Sequence, residues 1–402
     1  MTSTRYALFA TLVSDGLEVT DGVLAVDGDR IRFAGNRDDF AALSDSTDYE
    51  IRELDAGSII IPGLVDVHCH GALGTDFSAP DHSNIAQAVQ FLHRAGTTTL
   101  LASLVTAEPN SMIEAAEVLA EFAEDAQIAG IHAEGPFLSE ARCGAQDPHF
   151  LQDPDPEFVT QLVAASRGQL RTMTYAPELE GSEELIEQLV SHGVVPSLGH
   201  TDASAQVAAD SLRFASEELG SAGVDGFTER PTVTHLFNGM PSLHHREPGP
   251  VAACLEEAAN HNAFVELIAD GVHLSPDTVR LVYRLVGANN ILLVSDSMAA
   301  TGLEDGAYTL GPQDVNVRGG EARLASDNSL AGGTSTLLEI VQRTVEAGVP
   351  LVQAVTSATS IPASLIGLAD EVGSLHYGFA ADALILDSHL QLTQTIRKGE
   401  YL

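Results

Sequence analysis

The chain is short of positive charge. Its 402 residues carry 19 Lys+Arg against 57 Asp+Glu, a formal net charge of −38. Such a surface repels phosphate backbones and anionic lipid, which excludes a general nucleic-acid binder and a membrane-surface protein. Lysine is almost missing, with Lys398 alone near the end of the chain. That removes lysine Schiff-base chemistry, a P-loop lysine and a carboxylated lysine bridging two metals from any central site. Cysteine is scarce too. Cys69, Cys143 and Cys254 are an odd set without close pairs, so no disulfide framework is expected. No apolar run approaches the roughly 18 residues of a membrane span. The opening MTSTRYALFATLV lacks a cleavage site of the A-x-A kind. A cytoplasmic enzyme is the expectation. With 44% hydrophobic residues the chain has ample material for a large core.

Residues 1–61 are β-rich, with Asp15-Gly16, Asp21-Gly22 and Asp27-Gly28 as turn signals. After Pro62 the rhythm changes. Short apolar β-branched runs alternate with Ala/Leu/Glu-rich helical stretches. The runs begin with LVDVH (64–68), TTTLLAS (97–103), IAGIH (128–132) and RTMTYAP (171–177). VVPSLGH (194–200), TVTHLF (232–237), AFVELIADG (263–271) and ILLVSDS (291–297) complete the set. Near-continuous apolar strands separated by helices pair in parallel and are buried on both faces. Eight such units predict a (β/α)₈ barrel. An open doubly wound sheet is disfavoured because no G-x-G-x-x-G follows the first strand. The chain returns to β structure near its end. The expected organisation is a small β-sandwich domain from residues 1–61 and 374–402, enclosing a catalytic barrel over 62–373.

The ionisable residues cluster at predicted strand ends. His68 and His70 close the first strand, Glu134 follows the third and His200 ends the fifth. His235 lies in the sixth and Asp296 ends the eighth. Strand C-termini share one rim in this fold, so these side chains are expected to converge. His-x-His puts two rings on one face because side chains alternate with period two. Singly, each has an ordinary explanation: a packed core histidine, a solvated loop acid, or a helix N-cap for Asp296. Six such explanations at one rim are jointly improbable. Four imidazoles and two carboxylates suit Zn²⁺ or Fe²⁺.

PGLVDVHCHG (62–71) resembles the Pro-Gly-x-x-Asp-x-His-x-His opening of the amidohydrolase superfamily. HAEGPF (132–137), LGHT (198–201), THLFNGMPSLHHREPG (234–249), DGVH (270–273), VSDSMAATG (294–302) and LAGGT (330–334) resemble the N-acetylglucosamine-6-phosphate deacetylases within it. GFAADALILD (378–387) is similar to the end of that family's small β domain. The resemblance implies hydrolysis of an N-acetyl amino-sugar phosphate to acetate and the free amine. It assigns the principal metal to Glu134, His200 and His235, and a second ion to His68 and His70. One or two divalent ions, Zn²⁺ foremost, are therefore expected, with Glu134 as the bridge available in place of lysine. Asp296 would accept a proton from water and return it to the departing amine. Ala145, Gln146, Asn238, Gly239, His273, Leu330, Ala331 and Gly332 would contact the sugar phosphate. Arg246 would supply positive charge to a neighbouring subunit's site, which implies a homodimer.

One departure stands out. Within SEARCGAQDPHF (139–150) the family usually carries histidine where this chain has Gln146. Glutamine donates a neutral hydrogen bond but carries no charge, and losing an oxyanion donor costs about 10²–10³ in rate. A weakened enzyme, a shifted substrate or a catalytically silent sensor of sugar phosphate stay open on this residue. His149 is a possible substitute from the same loop. Another amide substrate, such as an N-acyl amino acid or a cyclic amide, is the competing enzymatic reading. Cys69, between the two histidines, is expected to face the core. Cys143, His244 and His245 are expected in solvated loops.

Overall fold

The computed structural model describes residues 5–79, 81–223 and 228–402. Residues 1–4 of the expected small domain, and 80 and 224–227 of the expected barrel, lie outside these.

Eight parallel strands form the central sheet: β1 (Leu64–Cys69), β2 (Thr97–Leu104), β3 (Gly130–Glu134) and β4 (Leu170–Tyr175), then β5 (Val195–Leu198), β6 (Thr232–Val233), β7 (Phe264–Leu267) and β8 (Ile291–Leu293). Each strand pairs with the next in sequence. Nearly every strand residue is buried, as expected of strands covered by helices outside and side chains inside. The ring closes only at its C-terminal rim. Cys69 pairs with Ser297 in a parallel bridge. The Asp296 amide donates to His68 O at 2.9 Å, and the His70 amide to Ser297 O at 2.7 Å. Closure therefore brings His68, His70 and Asp296 to one place.

Helices wrap the ring, and their caps are legible in sequence. Ser275 opens Pro276–Val286 by accepting from the Thr278 amide. Thr336 and Glu339 form a capping box at Leu337–Glu346. Before that helix, the chain inserts a three-stranded antiparallel sheet: Gly306–Leu310, Gln313–Arg318 and Glu321–Leu324. It has its own small core of Leu310, Val315, Val317, Ala322 and Leu324, packed with Met298 and Ala331. The sequence reading did not identify this element, although Gly311-Pro312 and Gly319-Gly320 mark its turns.

Strands from both ends of the chain share a second, mixed sheet. Arg5–Ser14 pairs antiparallel with Leu17–Asp27 and parallel with Ile59–Pro62, which in turn pairs with Ala383–Leu386. One continuous sheet curls over a shared core of Tyr6, Leu8, Leu24, Ile60, Ala383, Ile385 and Ile396. An Arg30–Ala380 bridge ties the edge strand Arg30–Asn36 to the segment just before Ala383–Leu386. Among the described residues no helix is long and apolar enough to cross a membrane.

Candidate metal centre

Closure of the barrel gathers two groups of donors: His68, His70 and Asp296, and Glu134, His200 and His235. All six are buried. Glu134, the last residue of β3, faces both groups. Its Oε1 lies 2.9 Å from His200 Nε2 and 2.8 Å from His235 Nε2. Its Oε2 lies 3.1 Å from His70 Nε2 and 3.8 Å from His68 Nε2. Asp296 Oδ1 completes the second group at 3.3 Å from His70 Nε2 and 3.4 Å from His68 Nε2.

The donor set fits divalent ions. His200 Nε2 and His235 Nε2 are 3.1 Å apart, so with Glu134 Oε1 they form a compact triangle aimed at one point. Four-coordinate zinc, with bonds of about 2.0–2.1 Å, sets its donors ~3.3 Å apart. Two imidazole lone pairs and a carboxylate have no reason to converge so closely in a dry core without a cation or protons between them.

The electrostatics say the same. Burial pushes the Glu134 carboxyl up, but His200, His235, His68 and His70 together hold it well below the usual range. Asp296, also buried, is lowered by His68 and His70. Burial pulls the His68 ring down, yet Asp296 and the carboxylates of Glu134 and Glu266 hold it well above the ordinary value. His70 resists burial in the same way, through Asp296 and Glu134, and is pushed up to about 9. The cluster therefore favours charged carboxylates and positive charge between them.

Backbone strain marks the same residues. His200, His235 and Asp296 have φ of 45°, 27° and 46°, in the left-handed region that side chains other than those of Gly, Asn, Asp and His seldom adopt. Each sits just past a strand end, where the chain turns inward. Gly239 is required beside them, because a Cβ there would lie 2.8 Å from His200 Nδ1. Outer partners steady two of the rings. His200 Nδ1 meets Arg142 O at 2.7 Å, and His68 Nδ1 meets Glu266 Oε2 at 3.0 Å.

A cavity of about 210 Å³ opens above the donors. His70, Glu134, His200, His235 and Asp296 form its floor, and Ala145, Gln146, Asn238, Gly239, His273, Leu330 and Gly332 line it. His68 lies below the floor and does not reach the cavity. Ala331 is also absent from the lining, since its side chain is fully buried in the core of the inserted sheet. Arg246 is not among the residues that line its own chain's cavity. It stands exposed on a loop, with Nη1 2.9 Å from His245 Nε2. His149 is exposed and bonded to Asp147, so it does not replace Gln146. Gln146 is buried, with both ends engaged. Its Nε2 donates to Glu134 Oε2 at 2.6 Å, and its Oε1 accepts from the Thr106 amide at 2.7 Å. Cys69 packs inward with Sγ 3.1 Å from Ser297 Oγ, and burial raises its thiol pKa. Gly144, Leu310 and Ser329 join the lining, and the sequence reading missed them. Leu310 belongs to the inserted sheet and Ser329 to the loop that follows it.

Residues 59–401 match the amidohydrolase family. The chain belongs to this family. Within it, the chain is 34% identical over 353 residues to the N-acetylglucosamine-6-phosphate deacetylase of Bacillus subtilis (strain 168), covering 86% of this chain and 84% of that protein. It is 32% identical to the human protein of the same name over 355 residues, covering 86% and 83%. A Mycobacterium smegmatis N-acetyl-D-glucosamine-6-phosphate deacetylase variant, solved in complex with N-acetyl-D-glucosamine-6-phosphate, superposes with a TM-score of 0.88 at 37% identity over 99% of each chain. The N-acetylglucosamine-6-phosphate deacetylase of Thermotoga maritima superposes at 0.79 with 30% identity, over 98% of each chain.

Proposed function

We propose that this amidohydrolase removes the acetyl group from N-acetyl-D-glucosamine 6-phosphate, giving D-glucosamine 6-phosphate and acetate. The observation that carries the reading is Glu134, shared between two histidine groups beneath a polar cavity that Asp296 enters. The named activity of relatives over nearly the whole chain supports the substrate.

Glu134, His200 and His235 would hold the principal ion, with His68 and His70 offering a second place. Zinc suits the nitrogen-rich set best, and Fe²⁺ suits it also. Such an ion supplies an acidified water, with pKa brought toward about 7, and a polarised carbonyl. The chain's own groups do the rest. Asp296 Oδ takes the proton of the attacking water. As the C–N bond breaks, the same oxygen returns that proton to the leaving nitrogen, so the products are acetate and the free amine. His273 and Asn238 would hold the sugar phosphate, a role supported by their position in the cavity wall. Arg246 is exposed on its loop, which supports a homodimer in which it would serve a second copy's cavity. A phosphorylated sugar does not cross membranes unaided, which supports a cytoplasmic setting.

The test is direct. Purified protein given N-acetylglucosamine 6-phosphate should release acetate and amine in equal amounts. Chelation should abolish turnover, and added Zn²⁺ or Fe²⁺ should restore it. Preference for N-acyl amino acids over the sugar phosphate would overturn the substrate. Gln146 favours a second reading, a slow variant of the same enzyme, because its amide is committed to Glu134.

A further inference from the structure

Glu266 lies in the middle of β7 with 3% of its surface exposed. A carboxylate there is costly unless it is hydrogen-bonded. No arginine or lysine ion pair with it occurs among the described residues. Its Oε2 instead meets His68 Nδ1 at 3.0 Å and accepts the His235 backbone N–H at 3.1 Å. Its backbone carbonyl takes the Leu236 amide at 2.9 Å. Neither Glu266 nor His68 lines the cavity, so Glu266 does not touch substrate.

The rings differ in how they are held. His70 Nδ1 and His235 Nδ1 are buried without a hydrogen-bond partner. His200 Nδ1 has a neutral carbonyl. His68 alone among these four rings has a carboxylate on the nitrogen facing away from Glu134. A proton kept on Nδ1 by that carboxylate leaves the Nε2 lone pair free, and Nε2 is the atom 3.0 Å from His70 Nε2. The same oxygen fixes the backbone of His235, whose φ of 27° needs holding.

We infer that Glu266 is a positioning residue that ties the two donor groups together. It sets the tautomer and aim of His68 for the second ion, and it anchors the turn that presents His235 to the first. The inference rests on the two-ion reading above.

Stripped protein titrated with Zn²⁺ in a calorimeter tests it. Wild type should take two ions. Glu266→Ala should bind the second about 10–100-fold more weakly, and Glu266→Gln, which keeps the shape and an acceptor oxygen, about tenfold. The His68 Nδ1 proton should appear in nitrogen-resolved NMR of the zinc-loaded wild type and exchange rapidly in Glu266→Ala. If Glu266→Ala does not fold, Glu266→Gln decides alone. Wild-type affinity for both ions in Glu266→Gln, with the His68 proton unchanged, overturns the inference while the two-ion reading stands. A single ion in wild type overturns both.

Discussion

Asp66 accepts the Ser295 hydroxyl at 2.6 Å, joining the first barrel strand to the segment after the last. Its other oxygen lies 3.3 Å from both the Ser295 and the His68 amides. This carboxylate sits at the seam where the ring closes, two residues before the donor His68, and its partner Ser295 immediately precedes Asp296. Asp66→Ala would leave a buried hydroxyl and two amides without an acceptor. Each such group costs about 1–3 kcal/mol. Denaturant unfolding should show a loss of at least about 2 kcal/mol, with Asp66→Asn losing less. An unchanged midpoint would show that the seam does not depend on this contact.

Asp296 and Glu134 are expected to fail differently. Asp296→Asn should lower kcat by about 10²–10⁴ and keep the principal ion, since its role is proton transfer. Glu134→Ala should lose metal along with activity, because both oxygens face donors. Metal analysis beside steady-state rates separates the two. Full metal content in Glu134→Ala would exclude the ligand assignment.

Gln146→His should raise the deacetylation rate, by up to about 10²-fold if a charged donor at the carbonyl is what the site lacks. The effect should fall on kcat more than on KM. The amide now caps Glu134 Oε2, so an equal or lower rate would mean that this cap matters more than a carbonyl donor.

His273 and Asp270 predict a pH window. Burial lowers the His273 ring, but Asp270, 2.7 Å away, raises it above the ordinary value of 6.5. Asp270, though buried, is lowered by the same partner from its ordinary 3.8. The histidine's contribution to stability is complete below 6.5 and is lost as pH rises through its higher folded value. The aspartate's is complete above 3.8 and is lost as pH falls through its lower folded value. The pair therefore stabilises most between these values. Asp270→Asn should bring the His273 titration down, as NMR would record. Binding of the sugar phosphate should then weaken at a lower pH than in wild type.

Arg246→Ala should leave unfolding within about 0.5 kcal/mol of wild type, because the side chain is exposed. It should raise KM with little change in kcat if the guanidinium serves a partner's phosphate site. Unchanged KM would remove Arg246 from the site.

Much of this was legible in the chain itself. The run LVDVHCH shows two rings on one strand face, because alternation is local and needs no partner strand. Glu134 by itself reads as a solvated loop acid, and it is legible only together with the other rim residues, because the strand C-termini of a barrel share one rim. Glu266 did not stand out. In AFVELIADG it reads as one acid in a buried strand, and its worth lies in being opposite His68, 198 residues earlier. The inserted sheet was missed because its alternation, in the rhythm of a half-exposed hairpin, was not set apart from the barrel's repeating units. With it went Leu310.

Periodicity, caps and turn residues determined the eight strands, their helices and which residue types would face the rim. They act over a few residues, so sequence carries them openly. Ring closure decided the rest: that Glu134 gives one oxygen to each donor group, that Gln146 is held on both sides, and that Arg246 is left out of the lining of its own cavity. These are distances between segments tens to hundreds of residues apart, fixed only when the last strand meets the first and water is driven from between them.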